Sequence, residues 1–568
     1  MSNSISDVSP ETAFCHGTLQ DLVEDCDRYY HNSLENTGEL NQVVDRRRHL
    51  MYWIHKFHEE SGTLSPSVEE NLDKLRDPRC LLIVTAHQPN LFAYGGVLRK
   101  AVLAHVLARK LSARLSLPTV SFFGIADQDF ADDRWVRVAQ LPDVERREGV
   151  LELRATPQLQ MMLNKVPKPS TQILESWKNT IRRWIFAKLK SINNYCRAND
   201  LGFLVNLDDF VMNFENFWSF VEDAYSRGMS FSDFNGFLMS RVISGVWGCS
   251  TLFARFSECQ QIFGHEFAFL LSKFGSYSAS VGKTICSAGS QAGGVYEQEH
   301  VTIPFWVHCG CGSKARLKAE WKDRRLFGIG RCIGCGRNYE FDFDSGSQSC
   351  LSNILSCVSA RSLPLPLILF KGLRPCCYIG GAGGREYLRQ ARHVASDLGI
   401  DFPPVEIWRS HDLYRGLGQL EALIVFRRLS GSFDLARYAE AESKLENSIS
   451  AVQEIVSVLN GKKGSTGQRM PGLSETEDQK KEMLEEIRGI SIQQMQARKK
   501  ANFSGLVRDL GLLESVKKVM DLYPSLIDYA VNVGLENLGK QWVDFLENDG
   551  SLVSDVRLET SLDRIFFV

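Results

Sequence analysis

Leu81-Leu82-Ile83-Val84-Thr85 is a short apolar run, bounded by Pro78 on one side and His87-Gln88-Pro89-Asn90 on the other. A run of this length reads as a strand buried on both faces. From about Gly95 to Ser116, the residues Val97, Leu98, Val102, Leu103, Val106, Leu107 and Leu111 recur at helical spacing until Pro118 ends the segment. Thr119 to Ile125 is a second strand-like run. Strand, helix and strand in this order make a βαβ unit with parallel strands and a right-handed crossover, which commits the chain to a doubly wound α/β sheet.

The rest of the chain is read around that unit. Residues 19 to 75 have helical periodicity and form a helical lead-in. Leu201 to Asn206 reads as a strand, Val211 to Cys249 as helix, and Thr251 to Ser257 as a short strand. Gly275 to Glu299 is rich in Gly and Ser and is expected to be a loop. Leu365 to Phe370 and Pro375 to Ile379 look like strands, followed by the glycine run Gly380 to Gly384, a helix from about Arg385 to Leu398 and a strand at Val405 to Trp408. From Phe433 to Asn460, Tyr438, Ala441, Leu445, Ile449, Val452, Val456 and Leu459 make a coiled-coil-like seam of about three heptads. A linker at Gly461 to Asp478 lets a second helix, Gln479 to Asn502, fold back on the first, with helices continuing to about Glu547. The seam serves either packing within the chain or a dimer contact.

Between the two α/β stretches lie Cys309-Gly310-Cys311-Gly312 and Cys332-Ile333-Gly334-Cys335-Gly336. Two glycine-supported turns, each presenting a pair of thiols, suit the tetrahedral four-thiolate coordination of zinc. Such a closed site has no position for water, so a structural role is expected for a zinc held by Cys309, Cys311, Cys332 and Cys335. Fifteen cysteines scattered through the chain, with this as the only tight group, fit reduced thiols plus a metal better than disulfides. The ribbon carries eight Lys and Arg against five acids from Cys309 to Asp344, a mild excess. The whole chain balances 66 basic against 68 acidic residues, which argues against nucleic acid as a partner. No apolar run is long enough to span a bilayer, and Met1 to Thr18 has no apolar stretch of the secretory kind, so a cytoplasmic location without membrane association is expected.

Ligands of open α/β sheets gather outside the carboxyl ends of the strands. Three segments have that position here. His87, Gln88 and Asn90 lead into Gly95-Gly96 at a helix start, where free N–H groups favour phosphate or carboxylate. Asp127, Asp129, Asp132 and Asp133, with Gln128 among them, form a carboxylate cluster after the second strand. Gly380, Gly381 and Gly383 let backbone approach a ligand closely. Arg361 and Arg409 are candidates for binding anionic groups. Each feature also has a plain alternative: His87 as a helix cap, Asp132 and Asp133 as solvated charges, the glycines as a tight turn, the arginines as surface ion pairs.

In order and content these segments resemble the BshC family, the cysteine-adding enzymes of bacillithiol synthesis, over roughly residues 80 to 415. Val84-Thr85-Ala86-His87-Gln88 is similar to the family's V-T-G-Q-Q turn. Ser121 through Phe130 aligns with F-W-I-A-S-E-D-H-D-F, with Asp127, Asp129 and Phe130 retained, and Tyr378 through Gly384 resembles Y-V-G-G-P-G-E. Arg361-Ser362-Leu363-Pro364 matches an arginine before a Leu-Pro pair. The chain departs from the family at His87, Ala126, Gln128 and Gly384, and the ribbon is not part of the usual family pattern. The resemblance implies a Rossmann-like core with a coiled coil after it; together with the cysteine spacing, the expected fold is a Rossmann-like parallel-sheet core with a zinc-ribbon insertion and a C-terminal helical coiled-coil region. The corresponding parts are a helical lead-in (1–78), a core in two pieces (79–300 and 348–430), the ribbon (301–347) and the helical region (431–568).

It further implies a carbon–nitrogen ligase joining cysteine to an amine acceptor such as an amino-sugar conjugate, working as a homodimer. His87, Asp127 and Asp129 would be its catalytic residues, and Gln88, Asn90, Gly95, Gln128, Arg361, Gly380, Gly381, Gly383 and Arg409 its substrate contacts. ATP or another nucleotide is a possible activator, although no G-x-x-x-x-G-K-S/T loop is present. Two alternatives stand beside this one. One is a nucleotidyltransferase-like enzyme of the histidine-motif superfamily; the other is a zinc-ribbon interaction protein with a degenerate core.

Overall fold

In the computed structural model, which describes residues 14–35, 40–131, 133–201, 204–287, 299–343, 354–408, 411–461 and 492–563, β1 (Leu81–His87) runs parallel to β2 (Thr119–Ile125), with the helix Gly95–Leu115 between them. The helix ends where Ser116 turns left-handed at φ 54°, directly before Leu117 and Pro118. A hairpin of β3 (Val138–Pro142) and β4 (Val150–Arg154) follows. After two long helices, Thr171–Ala198 and Leu207–Arg227, β5 (Leu252–Arg255) joins the far side of β2.

A second sheet comes next in the chain. It is built from β6 (Thr302–His308), β7 (Lys314–Lys322), β8 (Arg325–Cys332), β9 (Asn338–Phe343) and β10 (Val358–Ala360), all antiparallel, in the order β10-β6-β7-β8-β9. Residues 358–360 thus lie in the ribbon's sheet. The chain then returns to the first sheet with β11 (Cys377–Ile379) and β12 (Val405–Glu406), completing the parallel order β12-β11-β1-β2-β5.

That order has a physical consequence. From the central β1 the chain builds outward through β2 and β5, then comes back to lay β11 and β12 on the other side. The strand order therefore reverses between β1 and β11, and a crevice opens outside their carboxyl ends. Because side chains alternate along a strand, the sheet has two apolar faces. Ile83, Phe123, Ile125, Phe253 and Ile379 pack with Val102, Val106 and the helices of 171–227. Leu82, Val84, Phe122, Ala254 and Tyr378 pack with Ile303, Phe305, Val307 and Leu317 of the second sheet. The edge strand β5 is covered by the helix Leu40–Ser61, whose His58 accepts the outward amide of Phe253 on Nε2 at 3.0 Å and donates from Nδ1 to Thr63 at 2.7 Å.

Three expectations are corrected. Leu365 to Phe370 lies in the helix Pro364–Leu373. Prolines lack the donor that a strand interior needs but are accommodated in the first turn of a helix, and the whole run is apolar because its surroundings are buried. Gly275 to Ser287 is helical as part of Phe274–Ser287, where Phe274, Tyr277 and Val281 are buried at helical spacing and Gly275 and Gly282 face open space. Residues 204–206 are not a strand; Asn206 caps the helix Leu207–Arg227 by accepting from the amide of Asp208.

Toward the C-terminus, Tyr438–Gly461 and Ile492–Met520 pack together and onto Leu417–Ser430, with Ala422, Phe426, Ala441, Leu513 and Val516 buried between them. Residues 479–491 of the expected second helix lie outside the described residues. No described helix is long and apolar enough to cross a membrane.

Lys188 binds this region to the core. It is 2% exposed and reaches Asp143 at 2.5 Å and Glu421 at 2.6 Å, linking the helix Thr171–Ala198, the end of the β3 strand and the helix Leu417–Ser430. Lys188→Met leaves the buried Glu421 carboxylate without its cation and Asp143 with only the exposed Arg146, and is expected to cost about 3–5 kcal/mol in urea unfolding. Lys178→Met, at a more exposed pair with Glu222, is expected to cost less than about 1 kcal/mol. Equal losses for the two variants would contradict this account of Lys188.

Candidate active site at the β1–β11 crevice

His87 ends β1 half-buried. Its Nδ1 lies 3.1 Å from both the Gln88 carbonyl and Asn90 Oδ1. A carbonyl oxygen can only accept, so Nδ1 carries the proton and Nε2 presents its lone pair. Asn90 is itself fixed, donating Nδ2 to the Trp135 carbonyl at 3.0 Å. Burial, reinforced by the nearby Lys100, pushes the His87 pKa down to about 3, so the ring is neutral at physiological pH.

Lys100 was not foreseen as a site residue. It sits in the helix Gly95–Leu115 and is 5% exposed, and its Nζ donates to the Ala86 carbonyl at 3.1 Å. Burial lowers its pKa to about 7. Across the crevice, a Cβ added to Gly381 would come 3.4 Å from Lys100 Nζ, so glycine keeps the lysine's surroundings open. Gly380 donates its amide to the Glu406 carbonyl at 2.8 Å, and Thr85 Oγ1 donates to the Ile379 carbonyl at 2.9 Å, tying β1 to β11 and β11 to β12. Gly383 faces open space. Beside this corner the Glu406 carboxylate is buried against His16, with Nδ1 to Oε2 at 2.6 Å. Burial alone would lower the His16 pKa, but Asp25 and Glu406 together raise it to about 9.

The acidic loop after β2 divides in two. Asp129 joins the His87 loop, accepting from Gln88 Nε2 at 3.1 Å. The Asp127 carboxylate turns the other way: it accepts the Ser257 amide at 2.9 Å and the Ser257 hydroxyl, next to β5. The two loops touch through backbone, the Ala126 amide donating to the His87 carbonyl at 2.9 Å. Burial raises the Asp127 pKa to about 6, against the opposing effect of Ser257. Gln128 is buried, and its carbonyl accepts from Lys314 at 2.8 Å. Arg361 is buried with its guanidinium 4.7 Å from the centre of the Trp306 ring. Asp133 is exposed and caps its own helical turn by accepting from the Trp135 amide. Asp132 and Arg409 lie outside the described residues.

Gly95 has a different role from the one expected. Its amide donates to the Pro524 carbonyl at 3.2 Å, and a Cβ there would fall 2.6 Å from the Tyr529 hydroxyl. The C-terminal segment therefore occupies the helix start that was expected to receive an anion.

At the ribbon, the Sγ atoms of Cys309, Cys311, Cys332 and Cys335 all lie within 4.8 Å of one another and form a group able to hold a metal ion. A cavity of about 900 Å³ opens elsewhere, at the amino edge of the sheet, lined by His105, Arg109, Thr119 and Ser250. It contains none of the residues of the β1–β11 crevice.

A parallel sheet reversing its strand order beside two polar loops and a glycine turn defines a Rossmann-like α/β protein. Residues 19–188 match the family model described as "Bacillithiol biosynthesis BshC, N-terminal Rossmann-like domain", so this part of the chain is similar to that domain. The match includes His87, Lys100, Asp127 and Asp129 and stops before the ribbon. No curated protein matches the chain.

The lowered Lys100 pKa makes a stability prediction. Between its folded pKa of about 7 and the ordinary 10.5, the unfolded chain binds more protons than the folded one, so stability tied to this group rises with pH across that window. Lys100→Met is expected to be up to about 4 kcal/mol more stable than wild type at pH 7 in urea unfolding, the gap closing toward pH 10.5. A variant less stable at pH 7 would contradict the burial account.

Proposed function

We propose that the chain is a BshC-like ligase that joins the carboxylate of cysteine, or of a similar amino acid, to the amine of an acceptor such as an amino-sugar conjugate in low-molecular-weight thiol synthesis. The observation carrying this reading is Lys100: a buried lysine held by a single backbone carbonyl at the strand-order reversal, opposite a glycine. An arriving carboxylate supplies the counter-charge that Lys100 lacks, restoring its charged form and neutralising the acid for attack. His87 is too weakly basic to deprotonate an ammonium group. Its Nε2 lone pair instead accepts a hydrogen bond from the neutral attacking amine and orients it. Gln88 and Asp129 hold that loop in place.

Amide formation expels a carboxylate oxygen, and an activating nucleoside triphosphate would take it away as phosphate. The Pro524 carbonyl already takes the Gly95 amide, which counts against Gly95 as a phosphate or carboxylate contact in either reading. Incubation with cysteine, an amino-sugar conjugate and ATP, followed by mass spectrometry, should yield the amide. Lys100→Met and His87→Ala should each reduce turnover at least about 100-fold, the effect expected of losing one preorganised polar contact in the transition state, whereas Asp133→Asn should not. Undiminished turnover in Lys100→Met would overturn the assignment.

The four thiols are proposed to hold one structural zinc. Tetrahedral zinc with thiolate bonds of about 2.3 Å sets its sulfurs about 3.8 Å apart; Cys309 to Cys335 and Cys311 to Cys332 are each 3.5 Å here. Metal analysis should find one zinc per chain, lost in the double variant Cys332→Ser, Cys335→Ser. A metal-free wild-type protein prepared without chelator would contradict the proposal. A homodimer through the helices of about Phe433 to Asn460 and Gln479 to Asn502 is also proposed, on the apolar seam of Leu445, Ile449, Val452 and Val456 and on the family resemblance.

A further inference from the structure

The cysteine turn is joined to the acidic loop of the crevice by consecutive hydrogen bonds. Gly312, one residue past Cys311 and left-handed at φ 87°, accepts the Met162 amide on its carbonyl at 2.8 Å. Met162 bridges Phe130 in antiparallel fashion, and around that bridge Ala131 donates to Met161 at 2.8 Å, Leu163 to Asp129 at 2.9 Å and Asn164 to Asp127 at 2.9 Å. Lys314, first residue of β7 and 2% exposed, reaches over the Phe130 ring at 4.3 Å and donates to the Gln128 carbonyl at 2.8 Å. The Phe130 ring meets Trp306 of β6 edge to face at 5.7 Å.

Every residue from Asp127 to Ala131 is thus in contact with residues 161–164 or with the ribbon. Residues 309–314 hold the other end: Cys309 donates to Ser313 at 2.8 Å, Gly312 to Cys309 at 3.0 Å, and Ile333 to Lys314 at 2.9 Å.

We propose that the four-cysteine metal site positions the crevice loop, with Gly312 and Lys314 as positioning residues, so that metal occupancy and the order of residues 127–131 are linked. A metal on the four thiols fixes the 309–314 turn, the turn fixes residues 161–164 and Lys314, and these fix the loop that carries Gln128 and Asp129. This is a contiguous set of hydrogen bonds rather than a long-range effect. The inference rests on a metal being bound, not on the ligase reaction, and its test needs no turnover.

Hydrogen exchange on the full chain, with zinc and after chelation, reads the linkage directly. Chelation should raise exchange at Ala131, Met162, Leu163 and Asn164 at least tenfold and leave Leu82–Val84 and Val120–Phe122 unchanged, with zinc restoring protection. Lys314→Met should keep the zinc content of the wild-type protein and yet raise exchange at the same amides, and Lys314→Arg, which keeps a cationic donor, should recover part of the protection. Unchanged exchange at 129–131 and 161–164 in both the chelated protein and Lys314→Met would overturn the proposal. So would an equal rise across β1 and β2, which would make the ribbon a general stabiliser.

Discussion

Strand β1 is hydrogen-bonded to β2 on one side and β11 on the other and is apolar on both faces, so Leu81 to Val84 meet only protein. Water is first available where the sheet ends, at Ala86 and His87. A backbone that leaves a fully buried sheet must find partners for its polar groups, and here Lys100 serves the Ala86 carbonyl and the amide of Ala126 the His87 carbonyl. The crevice residues are gathered by that requirement before any ligand is considered.

Three buried lysines show how one residue type serves different ends. Lys188 has two carboxylates, so its charge is kept and ties three elements together. Lys314 donates a hydrogen bond to a carbonyl and lies over the Phe130 ring, which favours a cation through its quadrupole. Lys100 has a carbonyl alone, and burial brings its titration down to about neutral pH. Poor compensation costs stability and leaves a place for an anion, as expected of a group reserved for a ligand.

Much of the fold was legible in the sequence because periodicity and punctuation agreed. The βαβ unit, the helix Arg385–Leu398 after the glycine run and the pairing of the cysteines all had both. Leu365 to Phe370 misled because a short, wholly buried run has no period to separate strand from helix. Residues 275–287 misled because glycines facing open space read like a loop. In the site, His87, Gln88, Asp129 and Gly381 were placed on the right edge by topology alone, but Asp127's turn toward Ser257 depends on a residue 130 positions away. Lys100 did carry a signal, a lysine on the apolar face of Val97, Ala101 and Ala104. Lys314 carried none beyond its place next to a knuckle, because the docking of the ribbon onto the loop is purely tertiary.

In the proposed function, ligand chemistry belongs to the β1–β11 crevice and not to the cavity at the opposite edge of the sheet. A crystal structure of the protein with cysteine bound tests this most directly. The account predicts the carboxylate within hydrogen-bonding distance of Lys100 Nζ, between Ala86 and Gly381. A carboxylate bound instead beside His105 and Arg109, with the crevice empty, would contradict it.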